Sequence, residues 1–276
     1  MRDAPTLTQL AAFDIRLHNI NPLSPLRPSA GKTHEADAII KDVNKRGVAH
    51  LTHEQKILAL KRIWANAARG TAEEAARDKL LLALPPSQAF LADRDRRARA
   101  FAKTLWSDTE VKAAISKWSR LSDADRLKAL QTAINLHAKA YGLPGYKISN
   151  AELPGDTLGA FDQNTQNLRI DLAKLRRRGP GWKSSFATTL HEASHRNAYA
   201  LARKFVRDQI DKSDPRYRRA QIYALQAILY VRAKSGTDRS FKIYKRQPSE
   251  VDANAFADVV IASRGATAPP TPLHRR

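Results

Sequence analysis

The chain contains no cysteine. Disulfides and thiolate metal sites are therefore excluded, and any metal must be held by histidine nitrogen and carboxylate oxygen. No apolar run approaches the roughly 18 residues of a membrane-spanning helix. Met1–Ile20 has no long apolar core between charges and does not read as a signal peptide. The expected location is therefore the cytoplasm, or the exterior by a route that needs no classical signal peptide. Acidic residues are also scarce, with 27 Asp plus Glu against 48 Lys plus Arg, for a formal charge of +21. The excess is uneven: residues 1–110 carry 18 basic and 13 acidic side chains, and residues 111–276 carry 30 and 14. A basic half suggests an anionic partner, either nucleic acid or an acidic surface. No zinc-finger spacing, aromatic-rich RNA motif or glycine-rich phosphate loop accompanies that charge, so it assigns no such function by itself.

What the chain does contain is His191-Glu192-Ala193-Ser194-His195, an H-E-x-x-H sequence. With eight His and eight Glu in 276 residues, composition alone predicts about 0.007 such matches. His34-Glu35 and His53-Glu54 begin the same way, but Ala38 and Ile57 stand where the second histidine is needed. On a helix, His191 and His195 lie one turn apart on one face, where both imidazoles can reach a zinc ion at about 2.0–2.1 Å. Glu192 lies about 100° around and suits a general base acting on a metal-activated water. The bland alternative is a surface helix with three solvated polar side chains.

Along the chain, residues 1–33 are rich in Pro, Ser and Asn and read as a flexible lead-in. A helical region, residues 34–118, follows. Its segments are Ala36–Val48, His53–Ala68, Thr71–Leu84 and, after Pro85-Pro86, Ser87–Trp106. Thr71 with Glu74 forms an expected capping box. His34, His50, His53 and His137 read as surface or packing residues. A long helix is expected from Ser122 and Asp125 to Tyr141-Gly142. Three short strands then follow, at Tyr146–Asn150, Leu158–Asp162 and Asn167–Asp171, read as an antiparallel meander. The H-E-x-x-H helix should start near Ser184 or Ser185, the next at Asp214-Pro215, and the last from about Glu250 to Ser263. Residues 265–276 read as a disordered tail. The expected class is α+β, mostly helical, with a small antiparallel sheet.

A catalytic zinc takes three protein ligands and keeps one position open. After His195 the only histidine is His274, so the third ligand must be one of the carboxylates between Asp208 and Asp258. Glu250 is preferred, because Glu250, Ala253, Asn254 and Ala257 share a helical face whose alanines permit a close approach. Asp252 is the next choice. Asn254 can hydrogen-bond a ligand side chain.

His191-Glu192-x-x-His195 followed by Glu250 within Gln247–Ala257 resembles the gluzincin branch of zinc metallopeptidases. The likeness includes small bacterial metallopeptidase domains of phage-associated proteases and of toxins or effectors. It spans residues 119–264, and its first motif is more specific than its second. It departs at Asn254, where thermolysin-like enzymes carry Asp. The resemblance implies a zincin-like domain with a small sheet, the H-E-x-x-H helix and a third-ligand helix. It also implies a protein or peptide substrate bound along an edge strand, and a Tyr or His stabilising the oxyanion. Tyr244 and Tyr199 are the candidates for that last role. The competing expectation is a non-enzymatic, basic nucleic-acid-binding protein with a structural or vestigial metal site. The basic half and Arg216, Arg218 and Arg219 at one helix start support it.

Overall fold

A computed structural model of the chain describes residues 29–66, 70–162, 165, 167–179, 181–229 and 239–264. The expected lead-in, apart from residues 29–33, and the C-terminal tail lie outside the described residues. Eleven α-helices and one three-stranded sheet form among the described residues; at 73% helix, the class is α+β and mostly helical. In chain order these are α1 (Thr33–Arg46), α2 (His53–Ala65), α3 (Thr71–Leu82), α4 (Gln88–Ser107), α5 (Thr109–Ser116) and α6 (Asp123–Tyr141). Next come β1 (Lys147–Asn150), β2 (Gly159–Asp162) and β3 (Asn167–Ile170). The chain continues with α7 (Leu172–Arg178), α8 (Trp182–Val206), α9 (Tyr217–Leu229), α10 (Arg239–Arg246) and α11 (Pro248–Ser263).

Local chemistry sets most of the helix ends. Ser122 Oγ accepts from the Asp125 N–H at 3.1 Å to start α6. Gly142, in the left-handed conformation at φ 62°, ends it. A full capping box starts α2: the Gln55 N–H donates to Thr52 Oγ1 and the Thr52 N–H donates to Gln55 Oε1. The box expected at Thr71 and Glu74 is displaced by one residue. Gly70 is the N-cap, and Glu73 Oε2 accepts its N–H at 3.1 Å. Glycine has no side-chain oxygen to return the bond, so only half of the box forms. Helix α8 starts at Trp182, two residues earlier than Ser184, and the Trp182 ring packs edge-on against Trp106 at 5.5 Å. Helix α9 starts at Tyr217, because the Asp214 carboxylate first accepts from the Arg216 N–H at 2.8 Å and closes a turn. Helix α10 was not anticipated from the sequence.

The strands fall where the alternation placed them, but their pairing corrects the expected meander. The order is β1-β3-β2, with β1 parallel and β2 antiparallel to β3. The short β2–β3 connection suits a hairpin, whereas the chain between β1 and β2 is long enough to leave a place for β3. Asp171 anchors that longer connection: its Oδ2 accepts from Leu153 N–H at 3.2 Å and its own N–H donates to Leu158 O at 2.9 Å.

The chain divides into two compact units, residues 1–90 with 198–251 and residues 91–197 with 252–276. These interleave in sequence, whereas a linear reading places one boundary near residue 118. The core of the first unit joins α1, α2, α3, the end of α8 and α9 through Val43, Leu60, Ile63, Leu80 and Leu225, all fully buried. In the second, Phe101, Leu130, Ile134, Leu168 and Phe186 pack helices against the sheet. An aromatic group including Trp106, Trp118 and Trp182 adjoins them.

His137 belongs to that second core, at 1% exposure, as a packing histidine. Its ring stacks on Tyr141 at 4.6 Å and meets Phe101 edge-on, and its Nδ1 lies 3.3 Å from the Tyr146 hydroxyl. Burial, aided by the Arg196 charge, pushes its pKa down to about 3. The unfolded chain titrates this histidine near 6.5, so between those values it binds more protons than the folded chain and acid favours unfolding. His137 should therefore remove about 2 kcal/mol of stability between pH 7 and pH 5. Chemical denaturation of the parent and of His137→Phe at both pH values checks this. The variant should show the smaller difference, and equal pH dependence would refute the assignment.

Candidate metal centre

Helix α8 buries Phe186, Leu190 and Ala193 on its core side, and this fixes the rotation of the helix. His191, His195 and Tyr199, each four residues apart, follow one line along another side. His191 Nε2 and His195 Nε2 lie 3.0 Å apart, with the two rings at 81°. Two nitrogens sharing a tetrahedral zinc at about 2.0–2.1 Å would stand roughly 3.3 Å apart, so the spacing fits within a few tenths of an ångström. His191 Nδ1 lies 3.0 Å from Asn254 Oδ1 on α11. An amide oxygen only accepts, so Nδ1 carries the hydrogen and the Nε2 lone pair is left for a ligand role.

Glu250 lies one turn before Asn254 on the same helix and is 2% exposed. One donor atom from each of His191, His195 and Glu250 lies within 4.8 Å of the others, and the group could hold a metal ion. The donor set fits one. The two Nε2 atoms, 3.0 Å apart, share either a hydrogen, as donor and acceptor, or a bound cation. The Glu250 carboxylate supplies the third donor of the group. Two imidazoles and a carboxylate are also the donors that zinc takes.

Glu250 is held there by side chains from α9. Arg219, 3% exposed, donates to Pro248 O at 3.0 Å and to Leu84 O at 3.1 Å. Gln226 grips the next residue twice: its Nε2 donates to Ser249 Oγ at 2.6 Å and its Oε1 accepts from the Ser249 N–H at 2.9 Å. Further along α11, Phe256 stacks on Phe101 at 5.9 Å and the Trp106 Nε1–H donates to Val260 O at 2.8 Å. Sequence reading missed this clamp. The available signal was Gln226, a polar residue at an inward position between Leu225 and Leu229.

Among the described residues no other carboxylate joins the metal-competent group, and Asp238 lies outside those residues. Asp252, the second choice, turns to Arg94, whose Nη1 donates to it at 3.3 Å, and it is not part of the metal-competent group. Asp208 takes the left-handed conformation, φ 55°, at the end of α8. Asp211 accepts from Ser213, and Asp214 pairs with Arg216. Of the arginines at the α9 start, Arg216 and Arg219 are thus engaged within the fold. Arg218 is exposed and pairs loosely with Glu54 at 3.4 Å.

Glu192 abuts the sheet. A Cβ on Gly159, the first residue of β2, would lie 2.7 Å from Thr188 Cγ2 and 2.9 Å from Glu192 Cγ. The bare backbone of Gly159 therefore lets strand β2 touch the helix at the glutamate. Tyr199 is half-buried on α8. Tyr244 lies on α10, its ring parallel to that of Phe241 with centroids 6.3 Å apart. No family model matches this chain, and no curated protein or solved structure is significantly similar to it.

Metal analysis of purified variants tests the group. Glu250→Ala should retain far less metal than the parent, and Asn254→Ala should weaken metal binding about 10–100-fold. Asp252→Ala should keep the metal and instead lose about 1–3 kcal/mol of stability, since it leaves Arg94 short of a buried partner. Metal lost from Asp252→Ala and kept in Glu250→Ala would reverse the ligand assignment.

Proposed function

We propose that the chain is a zinc-dependent metallopeptidase of the gluzincin kind, with His191, His195 and Glu250 as metal ligands and Glu192 as general base. The observation that carries this reading is the meeting of an H-E-x-x-H helix with a buried glutamate from a second helix, three donor atoms within 4.8 Å. Zinc bound there would acidify a water toward neutral pKa and polarise a substrate carbonyl.

The remaining steps belong to the protein. Glu192 accepts a proton from the attacking water as its oxygen bonds to the scissile carbonyl carbon. It then returns that proton to the departing amine nitrogen as the C–N bond breaks, which balances the hydrolysis. Asn254 holds His191 in the tautomer that presents Nε2. Strand β2 lies at the sheet edge with no further strand beside it among the described residues, so an extended peptide can pair with it next to Glu192. Tyr244 and Tyr199 are the proposed hydroxyl donors to the oxyanion. Phage-associated proteases and bacterial toxins or effectors are the contexts in which such a domain fits.

Cleavage of a fluorogenic peptide library tests the roles. Glu192→Gln should keep zinc and fold yet lose about 100-fold or more in kcat. Gly159→Ala should also keep zinc, while its methyl displaces Glu192 and lowers kcat about tenfold or more. A Glu192→Gln protein that cleaves as fast as the parent would rule out the metallopeptidase reading.

A further inference from the structure

The first unit carries a cavity of about 680 Å³, inside the roughly 300–1,000 Å³ of small-molecule sites. Lys32, Lys61, Lys212 and Arg218 line it, together with Ile57 and Tyr217. Two carboxylates share the lining, and each has a cation already: Glu35 pairs with Lys32 at 3.5 Å and Glu54 with Arg218 at 3.4 Å. Lys61 and Lys212 have no carboxylate partner among the described residues. Lys61 is half-buried, and burial alone pulls its pKa below the ordinary ammonium range. A half-buried cation with no counter-ion is unfavourable until an anion reaches it.

His53, at the head of α2, lines the same cavity. Burial first, and then the Arg218 charge, lower its pKa, so it stands neutral at pH 7. Its Nε2 is buried and makes no hydrogen bond. The cavity thus offers a surplus of two positive charges, a neutral imidazole and an apolar wall.

We infer that this cavity binds a small phosphate monoester with an apolar or aromatic body, held by Lys61, Lys212 and Arg218. A phosphate monoester carries about −1.5 to −2 charges at pH 7 and matches a surplus of two, where a single carboxylate would leave one cation unpaired. Arginine and lysine both recognise phosphate oxygens, and Ile57, Leu58 and the Tyr217 ring suit the ester's organic part. The inference does not depend on the metal centre.

Titration calorimetry of the full chain with AMP, phenyl phosphate and inorganic phosphate tests it. At least one ester should bind saturably and more tightly than inorganic phosphate. Lys61→Gln and Arg218→Gln should each weaken that binding about tenfold or more, with far-UV circular dichroism unchanged. Glu192→Gln should bind the ester as the parent does, which separates this site from the proposed chemistry. Three outcomes overturn the inference: no saturable binding of any probe, inorganic phosphate binding as tightly as the esters, or unchanged affinity in both variants.

Discussion

The hydrogen bond between His191 Nδ1 and Asn254 Oδ1 is the interaction on which the geometry of the candidate metal centre depends. It joins the H-E-x-x-H helix to α11 and sets the tautomer of His191 in the same contact. Because Asn254 and Glu250 are one helical turn apart, the bond that orients the imidazole also brings the carboxylate to it. Without that register, His191 and His195 would be two polar residues on a helix, with no third donor beside them.

Holding α11 in that position takes several polar side chains out of water. Arg219 and Gln226 are each nearly fully buried and satisfy backbone and side-chain groups at the start of α11. Buried polar groups are tolerated only when their partners are fixed, so these residues specify one placement of the helix. Gly159 acts similarly from the sheet, where the lack of a side chain sets how closely β2 approaches Glu192. The candidate centre is therefore supported from α9, α11 and β2, and only its two histidines come from a contiguous motif.

The positive charge of the chain has several local uses. Arg219 serves packing, Arg94 holds Asp252, and Arg196 lies over the Tyr146 ring at 4.4 Å. Around the cavity of the first unit, by contrast, Lys61 and Lys212 have no acidic partner among the described residues, so a net charge read from composition becomes a charge with an address.

The sequence by itself determined the helical class, most element boundaries and the pairing of His191 with His195 on one helix face, because caps, periodicity and a four-residue spacing are local properties of the chain. Ser122 and Gly142 bound α6 as read, and Glu250 and Asn254 share a face by helical arithmetic alone. Tertiary structure decided the rest. Which carboxylate joins the histidines followed from the Arg94–Asp252 pair and the grip of Arg219 and Gln226 on α11, contacts between residues far apart in sequence. Strand order followed from the loop anchored by Asp171, and His53 gained its neighbours from α9. Periodicity shows which face of an element is buried, but not which other element covers it, since that depends on packing the whole chain at once.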